Sequence, residues 1–252
     1  MKSIFLILIL LFSLTSFGQF GSLTARKDSA FTIPMIIASY AHQWTGGDLK
    51  NRFGDNNNIG GSFAIKNKHH WYYGFKGNFI WGNKVKENTI LGNLLTEDSY
   101  IIDNEGRLTS VFLEERGSSF FLIGGKLFNV LTNNNNSGIL VYGGLGTLHH
   151  KIRIAFKDEV NILSEENKKG YDRLSFGYAI NGFVGYMHLS KNRFLNFFGG
   201  FDYTQGWTKS LRKYNYDTEQ EDTKASSAIL YGFRLGWIIR LNKRTQQEYY
   251  YD

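Results

Sequence analysis

The chain has 252 residues, of which 42% are hydrophobic and 16% aromatic, and carries a formal charge of +7. This length suits one domain, and no shift in composition marks an internal boundary. Cysteine is absent, which excludes disulfides, thiolate metal sites and a lipid-modified cysteine at a cleavage site. Lysine is spread over predicted turns and loops rather than clustered on a recognition element, so we expect no nucleic-acid partner.

Residues 1–18 have the pattern of a secretory signal peptide. Lys2 supplies the positive start, residues 4–12 form a short apolar core, and Ser16 and Gly18 lie just before the expected cleavage site. The apolar core is too short to span a membrane, and no later stretch reaches the roughly 18 apolar residues that a spanning helix needs. We therefore expect an exported chain that is either soluble or a β-barrel.

The rest of the chain contains eight runs in which bulky apolar residues alternate with small or polar ones, and this period of two predicts β-strands. The predicted strands cover residues 33–44, 58–66, 71–82, 119–130, 138–150, 174–189, 194–208 and 226–241. Connections after the odd-numbered runs are long and polar, whereas those after the second, fourth and sixth are short. Outer-membrane barrels have long extracellular loops, short periplasmic turns and an even strand number. We predict an all-β protein, an eight-stranded antiparallel up-and-down transmembrane β-barrel over residues 19–241, followed by a periplasmic tail at 242–252.

The last run indicates which face of this barrel meets lipid. One parity carries large apolar residues such as Leu235 and Trp237, and the other carries glycines together with Arg234 and Arg240. A narrow lumen favours small and polar residues, while lipid favours the bulky apolar set. The large residues are therefore expected to face outwards.

Tryptophan placement fits the same orientation. Trp44, Trp81 and Trp207 fall at predicted extracellular strand ends, and Trp71 and Trp237 fall near periplasmic ends. Indole prefers the membrane interface, so two girdles are expected. Aromatic residues of an ordinary core would instead be scattered along the strands.

The second long connection contains a predicted hairpin. Two short apolar runs, 100–102 and 110–113, flank the turn sequence 103–106. This connection is also the most acidic extracellular segment, which leaves open a Ca²⁺ site, a basic partner or a solvated charged loop. The spacing of an EF-hand loop is missing, so the solvated loop is the simplest interpretation.

The final strand resembles the β-signal that the bacterial barrel-assembly machinery recognises. Arg234 fills its polar place, Gly236 its glycine, and Ile239 and Leu241 its hydrophobic places. As a whole, the mature chain resembles the small eight-stranded outer-membrane barrels of the OmpA/OmpX and PorT-like kind. That resemblance implies a location in the outer membrane of a Gram-negative cell, contact with outer-membrane lipid and lipopolysaccharide, and insertion by the assembly machinery.

Several polar residues share the predicted lumen parity: Lys76, Asn78, Lys126, Asn181, Asp202 and Arg234. Asp202 and Arg234 lie on neighbouring strands at similar predicted height, where an ion pair would satisfy two charges inside a narrow lumen. Removing either partner alone is then expected to cost more stability than removing both. The set forms either a proton or ion path or a polar plug, and the small diameter of an eight-stranded barrel favours the plug.

Some small barrels modify lipid A, which makes the histidines candidates for catalysis. His188-Leu189-Ser190 resembles the His-x-Ser spacing of the lipid A deacylases, but falls at the predicted periplasmic end. His149 and His150 fall at the outer end of the fifth strand, with Asp158 and Glu159 in the next loop. The sequence shows neither a serine nor a metal-ligand set to accompany them, so interfacial histidines are the simpler interpretation.

Two classes of function remain. The first is a non-catalytic barrel, either a structural protein, a surface binder, or an accessory subunit of an outer-membrane assembly or secretion machine with a protein partner in the outer membrane or periplasm. The second is an outer-leaflet enzyme that modifies the acyl chains of lipid A. A catalytic triad at the outer rim would favour the second class, and the sequence does not show one. We favour the first class and expect neither a cofactor nor a metal.

Overall fold

The computed structural model describes residues 30–241 apart from 99, 131–133, 158–159, 161–162, 165, 191–194, 213 and 223–224. The predicted signal peptide and the predicted periplasmic tail both lie outside the described residues. Within the described part, no helix is long and apolar enough to cross a membrane.

The described chain is built almost entirely of β-strands. They are β1 (Ile33–Gly47), β2 (Asn56–Lys66), β3 (Trp71–Gly82), β4 (Tyr100–Ile102), β5 (Leu108–Phe128), β6 (Gly138–Phe156), β7 (Ser175–Leu189), β8 (Asn196–Ser210) and β9 (Ser226–Arg240). One turn of α-helix, α1 (Leu49–Arg52), follows β1, and two 3₁₀ turns lie at Asn88–Leu91 and Asn167–Gly170.

Eight of these strands close into a barrel. Strands that follow one another in sequence pair antiparallel, β3 pairs with β5, and β9 returns to pair with β1. The closing register runs from Met35 opposite Arg240 to Gly47 opposite Ala228. Closure leaves the first and last barrel strands without open edges. The predicted eight-stranded antiparallel barrel is confirmed.

The fourth barrel strand is longer than the sequence pattern indicates. The predicted hairpin is present, because β4 pairs with the start of β5 through Tyr100 opposite Ser110. Its second arm then continues without a break into the barrel wall, so β5 begins at Leu108 rather than at Ser119. The charged residues of this arm break the apolar alternation, but β6 extends beside them and supplies the pairing, with Val111 opposite Phe156.

The outer wall is apolar around the barrel. Large side chains are exposed on every barrel strand, including Ile36, Ile59, Phe75, Leu122, Leu145, Val184, Phe201 and Leu235. A continuous exposed band of this kind is unfavourable in water and favourable against lipid. The opposite parity of β9 turns inwards, with Arg234 buried. The predicted face assignment is confirmed, and the barrel is of the transmembrane type.

The five tryptophans lie on this outer wall at two levels. Trp44, Trp81 and Trp207 are near the end of the barrel that carries the long connections, and Trp71 and Trp237 are near the other end. Trp44 packs against Tyr231, with ring centroids 6.0 Å apart. We take the strand segments between the two levels as the membrane-spanning part, since indole favours the interfaces.

The long connections all emerge at one end of the barrel. They are loop 1 (48–55), loop 2 (83–107, which includes β4), loop 3 (157–174) and loop 4 (211–225). Short turns join the strands at the other end, for example residues 67–70, where the Asn67 side chain accepts hydrogen bonds from the backbone amides of His69 and Trp71. The alternation of long and short connections is as predicted.

Candidate functional site

The lumen is filled by side chains, beginning at its periplasmic end with a row of aromatic rings. Tyr72 stacks on Tyr142 at 5.6 Å between centroids, Tyr142 on Phe183 at 5.0 Å, and Phe183 meets the edge of Phe198 at 5.4 Å. These residues come from four different strands, so the row crosses the lumen. Gly236 lies beside its last ring, and a Cβ there would overlap Phe198. Four large aromatic side chains therefore occupy this level of the lumen.

Above the aromatic row, three buried charged side chains form a polar layer around Asp202. The Oδ2 atom of Asp202 accepts a hydrogen bond from Arg234 at 2.9 Å, and its Oδ1 atom accepts one from Lys76 at 3.2 Å. Asn181 donates to the same Oδ1 atom at 3.1 Å. Arg234 is 1% exposed, Asp202 1% and Lys76 3%, so the three charges are shielded from bulk water and depend on these contacts. The structure thus brings together four of the residues that the sequence assigns to the lumen.

This polar layer holds two cations for one carboxylate. Lys76 offsets part of the imbalance by lying near two aromatic rings, with its Nζ atom 5.6 Å from the centroid of Phe121 and 5.4 Å from that of Tyr142. Cation–π contacts of desolvated ammonium groups are stabilising. Lys76 also donates to the Asn181 side-chain oxygen at 2.7 Å. The cations are therefore held in fixed positions, as a plug requires.

Asn78 lies in the lumen, but Lys126 does not. Asn78 is buried and donates to the Ser119 hydroxyl at 3.0 Å. The prediction that Lys126 lines the lumen is wrong, because Phe121, Ile123 and Leu127 take the inward parity of β5. Lys126 instead lies on the outer wall at the periplasmic rim, with its Nζ atom 5.4 Å from a ring centroid of Trp71. A long cationic side chain is tolerated there because its ammonium reaches the polar interface.

The upper lumen contains a buried carboxylate that sequence reasoning assigned to an exposed acidic loop. Glu115 accepts two hydrogen bonds from the Asn56 amide, at 3.2 and 3.1 Å. Glu115 precedes Arg116, which pairs with the girdle residue Trp81, so it lies outside the membrane-spanning part. Burial raises the pKa of Glu115 to about 7, because a dry site penalises the charged form. The sequence held one signal for the burial of Glu115, which was its place on the inward-facing parity near the end of the strand.

A chain of ion pairs, here called the four-loop ion network, joins all four extracellular loops. Arg52 of loop 1 lies 3.1 Å from the Glu87 carboxylate of loop 2. Arg173 of loop 3 lies 3.6 Å from the same carboxylate and 2.5 Å from that of Asp217 in loop 4. The Arg173 side chain is buried, so its contacts are shielded from salt more than surface pairs are. Loops far apart in sequence are thereby fixed relative to one another.

Within the part of the chain that the structure describes, the histidines have no serine or carboxylate placed to form a hydrolase triad with them. His150 is buried in the lumen, with Nε2 3.4 Å from the Thr208 hydroxyl, while Asp158 and Glu159 lie outside the described residues. His188 packs on Phe197 at the periplasmic end, with ring centroids 5.2 Å apart. Among the described residues, no group of three or more His, Asp or Glu lies close enough to hold a metal ion.

Sequence reasoning also missed a histidine–carboxylate contact on the outer wall. His42 lies 3.8 Å from Asp55, beyond hydrogen-bonding distance. The Asp55 carboxylate is held instead by Lys84 at 2.7 Å, and this contact is the first cause of the lowered pKa of Asp55. The carboxylate is therefore not placed to orient His42 as a catalytic base.

The closed strand pairing, filled lumen and apolar outer wall define a small transmembrane β-barrel of the outer-membrane class. No protein-family model matches the chain, and no curated protein matches its sequence. Among solved structures, Neisserial surface protein A (NspA) matches with 10% identity and a TM-score of 0.41, over 82% of this chain and 96% of that one. Ail, the attachment invasion locus protein of Yersinia pestis, matches with 11% identity and a TM-score of 0.42, over 83% and 99%. The assignment to the class rests on the strand pairing and outer wall, not on these likenesses.

Proposed function

We propose that this protein is a non-catalytic barrel of the outer membrane that presents a preorganised extracellular surface to a protein partner, as a surface binder or an accessory subunit of an outer-membrane machine. The four-loop ion network carries this proposal. Loops that are already held in place lose little conformational entropy when a partner binds them, which favours affinity. A barrel that served only as an anchor would not need its four loops joined.

The lumen supports a role without transport. The charged layer and the aromatic row fill the interior at two successive levels, and eight strands leave room for little more than side chains. A proton or ion path would need mobile water beside the charges, whereas the Asp202 carboxylate already accepts hydrogen bonds from three side chains, Lys76, Asn181 and Arg234. We therefore assign these residues to a polar plug that stiffens the barrel.

The proposed location follows from the apolar outer wall together with the signal pattern of residues 1–18. Export by a cleaved signal peptide would deliver the chain to the periplasm, and the barrel would then contact outer-membrane lipid and lipopolysaccharide. Both ends of the barrel chain lie on the side of the short turns, so the loops would face outwards from the cell.

Purification from native membranes in mild detergent tests the proposed partner. The wild-type protein should retain a stable partner, and Arg173→Met should lose it because two carboxylates then face each other across loops 2 and 4. Arg107→Met is the matched control, since its partners Asp103 and Glu105 belong to the hairpin of loop 2 alone. A wild-type protein that purifies alone, or large stable currents in planar bilayers, would contradict the proposal.

We also propose that Arg234, Gly236, Ile239 and Leu241 act as the assembly signal. Arg234 and Gly236 face the lumen in the folded barrel, while Ile239 and Leu241 are exposed on the outer wall at its periplasmic end. Ile239→Ser with Leu241→Ser should slow insertion by the purified assembly machinery and leave spontaneous refolding into micelles unchanged. Equal slowing in both assays would contradict a signal role.

A further inference from the structure

The hairpin formed by β4 and the start of β5 carries an apolar face that points away from the barrel. Ile102 lies directly opposite Leu108, and Tyr100 lies opposite Ser110. Leu108, Ser110 and Phe112 share the outward parity of β5, so these five neighbouring side chains form one surface, here called the hairpin face. Ile102 is 52% exposed, Phe112 55% and Leu108 60%. Much of this apolar surface is therefore left uncovered by the chain itself.

The other face of the hairpin is buried, which fixes the direction of the hairpin face. Ile101 and Thr109 are buried, and Leu113 packs against the hydrophobic core. β5 continues without a break into the barrel wall, and β6 pairs with it from Val111 opposite Phe156. The hairpin face is thus held by the same sheet that forms the barrel.

A belt of paired charges separates the hairpin face from the lipid-facing wall. Arg116 pairs with the girdle residue Trp81, and its guanidinium lies 2.6 Å from the Glu114 carboxylate. Arg153 lies 3.1 Å from the same carboxylate. Phe112 lies beyond this belt, about 13 Å further along β5 than Arg116. Charged groups at the level of the girdle mark the interface, so the hairpin face stands above the acyl chains.

The direction of the hairpin face restricts what can cover it. Leu108 and Phe112 share their strand parity with Phe120 and Leu122, which are exposed on the outer wall. The hairpin face therefore points sideways over the surrounding membrane rather than upwards into the medium. A molecule that covers it must stand beside the barrel in the same membrane.

The charges that border the hairpin face are paired within the chain. At its outer end, Arg107 lies 3.1 Å from the Asp103 carboxylate and 2.7 Å from that of Glu105. At its inner end, Glu114 is held by the two arginines of the belt. None of the five residues of the hairpin face is charged. Its complement is therefore an uncharged apolar protein surface rather than a phosphorylated or sulfated saccharide.

We propose that the hairpin face is covered by the hairpin face of a second copy of this chain, so that two barrels stand side by side. A second copy in the same membrane has the same orientation and presents the same face at the same height. A two-fold axis along the membrane normal brings the two faces together, and an isologous contact of this kind closes as a dimer. Apolar faces suit such self-association, because no like charges meet within the contact.

The absence of native cysteine allows site-specific crosslinking of the full chain in native membranes. Ser110→Cys places one thiol within the hairpin face and keeps its four apolar side chains. Leu211→Cys places one on an exposed residue of loop 4, between strands that lie across the barrel from β5. A short bismaleimide should convert Ser110→Cys into a dimer and leave Leu211→Cys monomeric. Equal crosslinking of both variants would indicate random collision and overturn the proposal.

Substitutions of the hairpin face test whether the dimer forms through it. In the Ser110→Cys background, Ile102→Ser with Phe112→Ser should lower the yield of dimer by on the order of tenfold, since apolar anchors are lost from the contact. Leu211→Ser with Tyr214→Ser removes two exposed apolar side chains of loop 4 and should change the yield by less than about twofold. Equal losses in the two double variants would overturn the assigned surface.

A conservative variant and the heat-modifiable mobility of every variant separate loss of contact from loss of fold. Ile102→Val with Phe112→Leu keeps the face apolar and should keep the dimer. Arg173→Met is expected to lose the partner of the four-loop ion network but to keep the dimer, so this proposal and the proposed function can fail separately. A crosslinked product that contains another protein, or a folded Ser110→Cys variant that stays monomeric, would overturn the second copy as the occupant.

Discussion

Lys76 and Asp202 meet across the barrel, with Nζ 3.2 Å from Oδ1, although β3 and β8 lie on opposite walls, four strands apart around the closed sheet. The contact joins the two walls through the middle of the lumen. Arg234 binds the same carboxylate from the neighbouring strand β9. One carboxylate thus holds two cations that come from different sides of the barrel.

This arrangement predicts an order of stability among variants of the charged layer. Asp202→Asn leaves two buried cations without a carboxylate partner and should lower the free energy of unfolding by about 3–5 kcal/mol. Arg234→Met leaves the Lys76–Asp202 pair intact and should cost less, about 1–3 kcal/mol. The free energy of unfolding by urea in detergent micelles, where the assembly machinery is absent, measures both.

Removal of Arg234 and Asp202 together leaves Lys76 without its carboxylate, so, contrary to the expectation for an isolated Asp202–Arg234 pair, the double variant should not be milder than Arg234→Met alone. A replacement of all three residues by apolar ones should recover stability relative to Asp202→Asn. Lys126→Met is the control for the loss of a lysine, because Lys126 lies on the outer wall. Equal costs for Lys76→Met and Lys126→Met would contradict the assigned positions.

The four-loop ion network predicts coupled protection of the loops. Arg173→Met should raise the amide hydrogen exchange of loops 2 and 4 together, since Arg173 contacts Glu87 and Asp217 and their carboxylates then lose a shared partner. Exchange in the membrane-spanning strands should stay unchanged. Arg107→Met, confined to the hairpin, should affect loop 2 alone. Exchange that rises in one loop only after Arg173→Met would argue against a connected network.

The raised pKa of Glu115 predicts that the free energy of unfolding falls as the pH rises through the acidic range. Burial raises its pKa from 4.5 to about 7, so between these values the folded protein holds a proton that the unfolded chain has released. The contribution of Glu115 to the free energy of unfolding is therefore most favourable below about pH 4.5. It declines up to about pH 7 and is then constant. Urea midpoints at pH 5, 6, 7 and 8 should show a smaller decline for Glu115→Gln than for the wild type, and parallel profiles would refute this origin.

The two levels at which the five tryptophans lie predict that their side chains are located near the headgroups of a bilayer. Variants that keep one tryptophan, at 44, 71, 81, 207 or 237, should be quenched more by lipids labelled near the headgroup than by lipids labelled at the chain ends. Replacement of the other four by phenylalanine preserves aromatic packing on the wall. Strong quenching of Trp81 or Trp237 from mid-bilayer would show that the membrane-spanning part is placed wrongly.

Local pattern was enough to predict the barrel and its orientation. Alternation in β3 and β9, the lengths of the connections and the places of the tryptophans each depend on residues close in sequence. The lumen positions of Lys76, Asn78, Asn181, Asp202 and Arg234 follow from the same parity. Lys126 was assigned to the wrong face because β5 has a mixed sequence near its periplasmic end, where a shift of one residue reverses the face.

Tertiary structure alone decided which of these charges meet. Sequence placed Asp202 beside Arg234 because their strands are neighbours, but Lys76 comes from the opposite wall, and no local pattern reports distances across a lumen. The network of Arg52, Glu87, Arg173 and Asp217 depends equally on loops that are distant along the chain. Strand parity fixes the direction of a side chain, because it is a property of the local backbone. Closure of the sheet fixes which side chains meet across the lumen, because closure is a property of all eight strands at once.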